Sequence, residues 1–295
     1  MSTLTPDRFA AIIARRGIVL SSEESDRVFH GKIEGLLTTG NPKTAKGEKE
    51  GVLTAILHLA PSIGSGFQTC PKATEGCAAA CLNTAGRGGM GLDSDGLNSV
   101  QRARRMRTYW YFARRDEFMA RIVREIGNHV KTAYAHDLTP MVRLNGTSDI
   151  RWENVPVLVD GKVYDNIFAA FPHVTFYDYT KLTDRDVSGI PNYSLTFSLA
   201  DGNLSDAIAA RDNGVNVAAV FLDEDILDES TGLRSAQIRM RGMTFPDTFL
   251  GLPVIDGDKS DVRPHDPRGV IVGLRAKGSA ILDTTGFVQR FRHAA

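Results

Sequence analysis

Three cysteines lie within twelve residues of one another, at Cys70, Cys77 and Cys81, and the chain contains no other cysteine. Cys77 and Cys81 are four positions apart with three alanines between them, so the spacing predicts that both thiols lie on one face of a helix. An odd count, in a chain with no visible secretory signal, argues against a disulfide framework. The clustering therefore points to metal or redox chemistry.

Three thiolates without a fourth are typical of an iron–sulfur cluster with one open coordination position. The pattern predicts a [4Fe-4S] cluster held by the three cysteines, whose fourth iron is left for a ligand or substrate. Zinc is an alternative, because His58 is available as a fourth ligand. A redox pair and plainly buried thiols are further alternatives.

Short apolar runs alternate with helix-compatible segments from residue 52 onward. The runs are residues 52–60, 140–144, 174–177, 193–198, 215–221, 252–255 and 269–274. This alternation indicates an α/β fold with a parallel sheet, open or closed into a barrel. We expect a partial or complete TIM-like (β/α) barrel over residues 52–286, a helical extension over residues 1–38, and a single domain over residues 1–295.

Polar residues directly follow several of these runs. Asn145, Ser148 and Asp149 follow the second run, and Asp178 follows the third. Because the carboxyl ends of parallel strands meet at one edge of a sheet, we expect these side chains to form a site there. Such residues are also common in turns. Lys181, however, is not a typical turn residue, and it lies near the end of the third run.

A long helical stretch over residues 98–135 is rich in arginine, with a break expected near Arg115. Eight arginines and only two acidic residues lie between Arg102 and Arg124, interleaved with aromatic residues. Such a face is suited to nucleic acid or phosphate. The alternative is a solvated face with its aromatic residues packed beneath it.

The overall composition belongs to an ordinary globular protein. The chain has 295 residues, 35 basic against 35 acidic side chains, and 42% apolar residues. It is too neutral for a histone-like coat on nucleic acid and too apolar for a disordered chain. No apolar run is long enough to span a membrane, and we expect a cytoplasmic protein.

A cysteine loop after the first strand of an α/β barrel resembles the architecture of radical S-adenosylmethionine enzymes. In that family three cysteines, usually spaced C-x3-C-x2-C, hold a four-iron cluster that binds the cofactor. The spacing here is C-x6-C-x3-C, and Ala80 replaces the usual aromatic residue before the third cysteine.

The resemblance implies roles for residues at the strand ends. S-adenosylmethionine would be bound by Arg143, Asn145, Ser148, Asp149, Ser198 and Asp201. Lys181 would pair with the cofactor carboxylate or a substrate phosphate. The catalytic candidates are Asp178, Asp149 and Lys181.

The sequence is more closely similar to an uncharacterised bacteriophage family, the gene-product-88-like proteins. The shared features span roughly residues 41–286. They are Lys43-Thr44-Ala45-Lys46-Gly47, Cys70-Pro71-Lys72-Ala73, Gly76-Cys77, Cys81-Leu82, Ala85-Gly86-Arg87-Gly88, residues 143–150 (RLNGTSDI), Tyr177-Asp178-Tyr179-Thr180-Lys181 and Val254-Ile255-Asp256-Gly257-Asp258. The resemblance implies a phage-encoded protein of the host cytoplasm that binds a metal cluster.

Other functions are compatible with the same residues. An open iron can act as a Lewis acid, with Asp178 or Asp149 as the base. The residues are also consistent with a protein that is not an enzyme. In that case an iron–sulfur or zinc site would be structural or sensing, and the arginine-rich helix would bind nucleic acid. A separate acidic group is a candidate for a hard cation. Its members are Asp256, Asp258, Asp261, His265 and Asp266.

Overall fold

The computed structural model describes residues 4–40, 47–81, 83, 86–93, 96–226 and 233–292. The helices are α1 (Pro6–Ala14), α2 (Ser22–Phe29), α3 (Glu75–Ala79), α4 (Ser99–Ala113), α5 (Arg115–Ala135), α6 (Ile167–Ala170), α7 (Leu204–Asp212) and α8 (Leu233–Met240). Short 3-10 turns cover Gly86–Gly89, Trp152–Asn154, Glu224–Ile226, Arg263–His265 and Gly278–Leu282. No helix in the described ranges combines the length and apolar character that crossing a membrane requires.

The strands confirm the expected α/β class. They are β1 (Leu37–Thr38), β2 (Val52–Leu57), β3 (Thr139–Arg143), β4 (Val157–Val159), β5 (Lys162–Tyr164), β6 (Thr175–Thr180), β7 (Tyr193–Ser198), β8 (Val217–Asp223), β9 (Thr248–Phe249), β10 (Leu252–Asp256), β11 (Ile271–Arg275) and β12 (Val288–Phe291). β4 and β5 form a separate hairpin. The other ten strands form a mostly parallel sheet flanked by helices.

The sheet is open along its path. Its order is β1-β2-β3-β6-β7-β8-β11-β10-β9, with β12 beside β8. The short strands β1 and β9 at its two ends pair antiparallel with β2 and β10. No pairing among the described residues closes this path, so the expected TIM-like barrel is not confirmed.

The chain divides into two compact units. The first unit comprises Met1–Pro71, Gly91–Asp178 and Arg185–Ser194, and the second comprises Lys72–Met90, Tyr179–Asp184 and Leu195–Ala295. The expectation of a single domain stays a prediction.

In the first unit, the N-terminal helices form part of an aromatic core. The Phe9 ring on α1 lies 5.4 Å from Phe29, 5.0 Å from Phe67 and 5.2 Å from Tyr109, measured between ring centroids. A capping box of Ser21 and Glu24 begins α2. The predicted helical extension therefore consists of two capped helices that pack into the core.

The first unit also has a buried histidine between α5 and the sheet. His129 Nε2 lies 3.0 Å from the carbonyl oxygen of Leu53 and 3.1 Å from that of Met141. Burial lowers the pKa of His129 below its usual value, although the two backbone hydrogen bonds oppose the shift. The neutral ring therefore ties α5 to β2 and β3.

In the second unit, a separate hydrophobic core surrounds β8. The Phe221 ring contacts Phe245, Phe249 and Phe291 at centroid distances of 5.8, 5.2 and 6.1 Å. α7 contributes Ala207, which is completely buried. This core supports the carboxyl ends of the strands in this unit.

Candidate functional site

The carboxylate of Asp178 is the centre of a polar cluster in the first unit. Asp178 lies on β6 and is 1% exposed. Its Oδ1 accepts a hydrogen bond from the Asn145 amide at 2.8 Å. Its Oδ2 accepts one from the Tyr193 hydroxyl at 3.1 Å and a weaker one from Asn145 Nδ2 at 3.4 Å. Three protein donors therefore hold this carboxylate in one orientation.

Asn145 organises the loop that follows β3. Its Oδ1 accepts hydrogen bonds from Ser148 Oγ and from the Ile150 amide, both at 2.9 Å. The Trp152 indole N–H donates to the same oxygen at 3.1 Å. The side chains of Asn145 and Ser148, which the sequence predicts as cofactor ligands, therefore bond within the protein.

Arg185 joins three partners in the first unit. It donates to Asp149 at 2.9 Å, to both oxygens of Glu153 at 2.8 and 2.7 Å, and to the Tyr193 hydroxyl at 2.8 Å. Burial alone would lower the pKa of Arg185, but Tyr193, Glu153 and Asp149 raise it above its usual value. The predicted catalytic residue Asp149 therefore lies in an ion pair.

The ionisable side chains of this region form what we call the buried charge cluster. Its members are Arg143, Asp149, Glu153, Asp178 and Arg185. Burial raises the pKa of Asp178 to about 6, against the opposing effect of Arg143. Three carboxylates face two guanidinium groups, so the cluster is electrically neutral when Asp178 holds a proton.

Sequence reasoning did not anticipate Glu153, Arg185 or Tyr193. Glu153 lies in a 3-10 turn and Arg185 in the connection between β6 and β7. Neither position has a local pattern that signals function. The one available signal is Arg185 itself, because a turn does not require a long basic side chain and its presence there suggests another role.

The loop after β3 is pressed against the end of β2. A Cβ added at Gly146 would lie 2.6 Å from Ile56 Cγ2, 2.7 Å from the Leu57 oxygen and 2.9 Å from His58 Cδ2. The Thr147 hydroxyl donates to the Leu59 oxygen at 2.6 Å. Gly146 and Thr147 are half-buried, whereas their neighbours in the loop are buried.

The three cysteines do not form the predicted metal centre. α3 ends at Ala79 with Ala80 as its C-cap, so Cys81 lies beyond the helix on which Cys77 lies. Cys70, in the first unit, has its sulfur 3.7 Å from the Thr147 carbonyl oxygen. The Asn83 amide donates to the Cys81 sulfur at 3.5 Å. None of the three is in a disulfide bond, and all three are half-buried.

The cofactor predictions are therefore wrong. Among the residues that the structure describes, no three His, Cys, Asp or Glu side chains are placed to hold a metal ion. This overturns the [4Fe-4S] cluster, the zinc alternative, and S-adenosylmethionine as the ligand of an open iron. Closeness in sequence does not bring these three thiols together, because Cys81 lies beyond the helix that contains Cys77 and Cys70 lies before it.

The second unit contains Lys181, Ser198 and Asp201. Lys181 Nζ donates to Ser198 Oγ at 3.1 Å. The Asp201 carboxylate accepts hydrogen bonds from the amides of Gly76 at 3.1 Å and Cys77 at 3.3 Å, and from the Thr74 hydroxyl. Asp201 is predicted as a cofactor ligand, but here it binds the first turn of α3.

The acidic group in the second unit is neutralised by basic side chains. Asp256 receives two hydrogen bonds from the Arg275 guanidinium, at 2.8 and 2.9 Å. Asp258 pairs with Lys277 and Arg275. Burial would raise the pKa values of Asp256 and Asp258, but these partners hold both below the usual range. These carboxylates form ion pairs within the protein rather than the suggested cation site.

The arginine-rich helices use much of their charge within the first unit. Arg114, at the break between α4 and α5, donates to the Gly31 oxygen at 2.6 Å and pairs with Glu117. Arg107 donates to the Gly35 oxygen at 3.2 Å. Tyr109, Trp110 and Tyr111 are buried. Aromatic packing beneath the helix is thus confirmed, and a nucleic-acid partner stays a prediction.

Comparison with known proteins identifies the family. The family described as gene product 88 matches residues 35–290, which include every site residue discussed above. Neither the curated proteins nor the solved structures gave a match. The resemblance to radical S-adenosylmethionine enzymes is not supported. Because the match covers most of its length, the chain belongs to the phage gene product 88 family.

Proposed function

We propose that this protein is an enzyme that transfers a proton to or from a small polar molecule, with Asp178 as the acid–base group. The observation that carries the proposal is the buried carboxylate of Asp178 on the parallel strand β6, with its pKa raised to about 6 by burial. Such perturbed carboxyl groups are concentrated at functional sites.

Asp178 has the properties that proton transfer requires. An acid–base group is most effective when its pKa lies near the working pH, because both protonation states are then populated. The Asn145 amide and the Tyr193 hydroxyl fix its orientation. Its geometry is therefore already set before a substrate binds.

Arg143 supplies a positive charge for the same reaction. It is 5% exposed, and its charge acts on Asp178. A fixed guanidinium in a region that excludes water stabilises negative charge developing on a substrate. Asp149 has an indirect role in this proposal. It pairs with Arg185, and Arg185 donates a hydrogen bond to the Tyr193 hydroxyl.

The loop after β3 is the expected entrance. Gly146 and Thr147 are half-buried, and they adjoin Asn145, whose amide holds Asp178. In this proposal the substrate displaces that segment of the loop to reach the carboxylate. We further propose that the protein works in the cytoplasm of the phage's host, as its membership in a phage family suggests.

The test is proton exchange in D2O. Mixtures of 2-oxo acids, amino acids, sugar phosphates and nucleosides are incubated with the protein, and deuterium incorporation at carbon is followed by NMR. We expect exchange in at least one compound and a loss of about 100-fold or more in Asp178→Asn, the scale of general acid–base catalysis.

Asp165→Asn is the matched control, because Asp165 is an exposed aspartate of the same unit. This variant is expected to retain wild-type exchange. Circular dichroism of both variants establishes that they are folded. Exchange that persists in folded Asp178→Asn, or no exchange across the whole panel, would contradict the proposal.

A further inference from the structure

Lys181 and Ser198 form a pair in the second unit that the proton-transfer proposal does not use. Lys181 Nζ lies 3.1 Å from Ser198 Oγ. Lys181 follows β6, and Ser198 is the last residue of β7. Both are half-buried, so the two polar groups are fixed by the protein and are still accessible to a small reactant.

The loop after Ser198 holds its backbone in place. Asn203 Nδ2 donates to the Ser198 carbonyl oxygen at 3.1 Å, and Asn203 Oδ1 accepts from the Ala200 amide at 2.7 Å. Gly202 has φ of +78°, a conformation that favours glycine and turns the chain toward α7. Ser198 thus lies at a strand-to-helix turn whose conformation is fixed by one side chain.

An alcohol within hydrogen-bonding distance of an amine is an arrangement for nucleophilic catalysis. A serine hydroxyl is a weak nucleophile until a neighbouring base removes its proton, and lysine is the base in one known variant of this chemistry. Exposed nucleophiles at a strand-to-helix turn occur in hydrolases with a different base.

We propose that Ser198 is a nucleophile toward activated acyl compounds, such as esters and thioesters, and that Lys181 is its base. Ser198 Oγ forms a bond to the acyl carbon while its proton passes to the Lys181 amine. Lys181 then gives that proton to the leaving alkoxide or thiolate. Water cleaves the acyl-serine by the same route, which releases the carboxylic acid and restores both side chains.

Helix α7 begins beside the proposed nucleophile. Its N-cap is Asn203, the residue that touches the Ser198 carbonyl, and its first turn carries the partial positive charge of a helix N-terminus. That charge favours an anionic oxygen on a substrate bound nearby. Ser198 and Lys181 have no role in the proton-transfer reaction proposed for Asp178, so each reaction can be tested without the other.

The test is covalent labelling by an alkyl fluorophosphonate, followed by intact mass and peptide mapping. Ser198 Oγ would bond to phosphorus, fluoride would leave, and Lys181 would take the proton. We expect one adduct, located at Ser198, and no adduct in Ser198→Ala. Lys181→Met is expected to label at least about 100-fold more slowly, because it lacks the base.

Ser194→Ala is the matched control, since Ser194 is an exposed serine on the same strand. It should label at the wild-type rate. Incubation of wild-type protein with p-nitrophenyl acetate should also give an acetyl adduct at Ser198. No adduct in wild type, an adduct at another residue, or equal labelling of folded Lys181→Met would overturn the inference.

Discussion

Asp178 and Asn145 are 33 positions apart in the sequence, and the Asn145 amide donates a hydrogen bond to the buried Asp178 carboxylate. A solvent-exposed aspartate is ionised at neutral pH. Here burial raises the pKa to about 6, although Arg143, Asn145 and Tyr193 oppose the shift. At the residue scale, the surroundings therefore decide whether this side chain is a fixed charge or a proton carrier.

The pH dependence of folding tests this environment. The usual pKa of Asp178 is 3.8 and its folded pKa is about 6. The stability that protonation of Asp178 gives the folded state is therefore fully present below about pH 3.8 and is lost as pH rises through 6. The free energy of unfolding of wild type, relative to Asp178→Asn, should fall by about 2 kcal/mol between pH 4 and 7. Urea titrations at each pH measure the difference. A difference that does not change with pH would show that the carboxylate is not buried as described.

Gly146 lies where the structure has no room for a Cβ atom. Gly146→Ala should lower the free energy of unfolding by about 1–3 kcal/mol, because its Cβ has no room against Ile56, Leu57 and His58. Gly127→Ala on α5 is the control, since nothing lies within 4 Å of its Cβ. The control should gain about 0.5–1 kcal/mol, because alanine favours a helix over glycine. Denaturant melts measure both, and equal changes in the two variants would contradict the close approach of the loop.

At the scale of elements, Arg114 joins three helices. It lies between α4 and α5, with φ of −133°, so the backbone is not helical there. Its guanidinium donates to carbonyl oxygens at the end of α2, those of Val28 at 3.4 Å and Gly31 at 2.6 Å. The residue at the break in the helical stretch thus also contacts the end of α2.

Substitution of Arg114 tests this docking. Arg114→Ala should lower the free energy of unfolding by about 1–3 kcal/mol, because the partly buried carbonyl groups at the end of α2 lose a charged donor. Arg124→Ala, at an exposed arginine of α5, should change it by less than about 0.5 kcal/mol. Thermal and denaturant unfolding measure both variants. If the Arg114 variant is as stable as the Arg124 variant, the contact to α2 does not stabilise the fold.

The molecule has a net charge of zero, but its basic side chains differ in their surroundings. Many basic side chains are committed to internal pairs, among them Arg114, Arg185 and Arg275. Arg102 and Arg124 are exposed on α4 and α5, where Arg102 pairs with the exposed Asp93. The buried aromatic residues beneath them cannot stack on bases, so any nucleic-acid contact there is with phosphates.

The predicted nucleic-acid partner is tested by fluorescence anisotropy with a labelled DNA duplex. Binding should be seen at 50 mM salt and should weaken steeply by 200 mM, because phosphate contacts release counterions. The double variant Arg102→Ala/Arg124→Ala should bind more weakly, and Arg268→Ala, an exposed arginine of the second unit, should not. No binding at 50 mM would rule out this partner.

Local sequence patterns are sufficient to predict the α/β class, most of the strands and the break in the arginine-rich stretch. These features depend on local patterns: apolar runs, turn residues and helix caps act over a few neighbouring positions. The sequence also indicated that polar residues follow the strands, and Asn145, Ser148, Asp149 and Asp178 do lie in one buried cluster of the first unit.

The contacts between distant side chains become visible only in the folded chain. Arg185 reaches Asp149 and Glu153 from positions more than thirty residues away, and Lys181 reaches Ser198 from seventeen. The cysteines, although close in sequence, form no metal centre, because α3 ends before Cys81. Contacts between distant residues depend on strand order, register and the exact ends of helices. Those properties follow from packing of the whole chain, so no local pattern contains them.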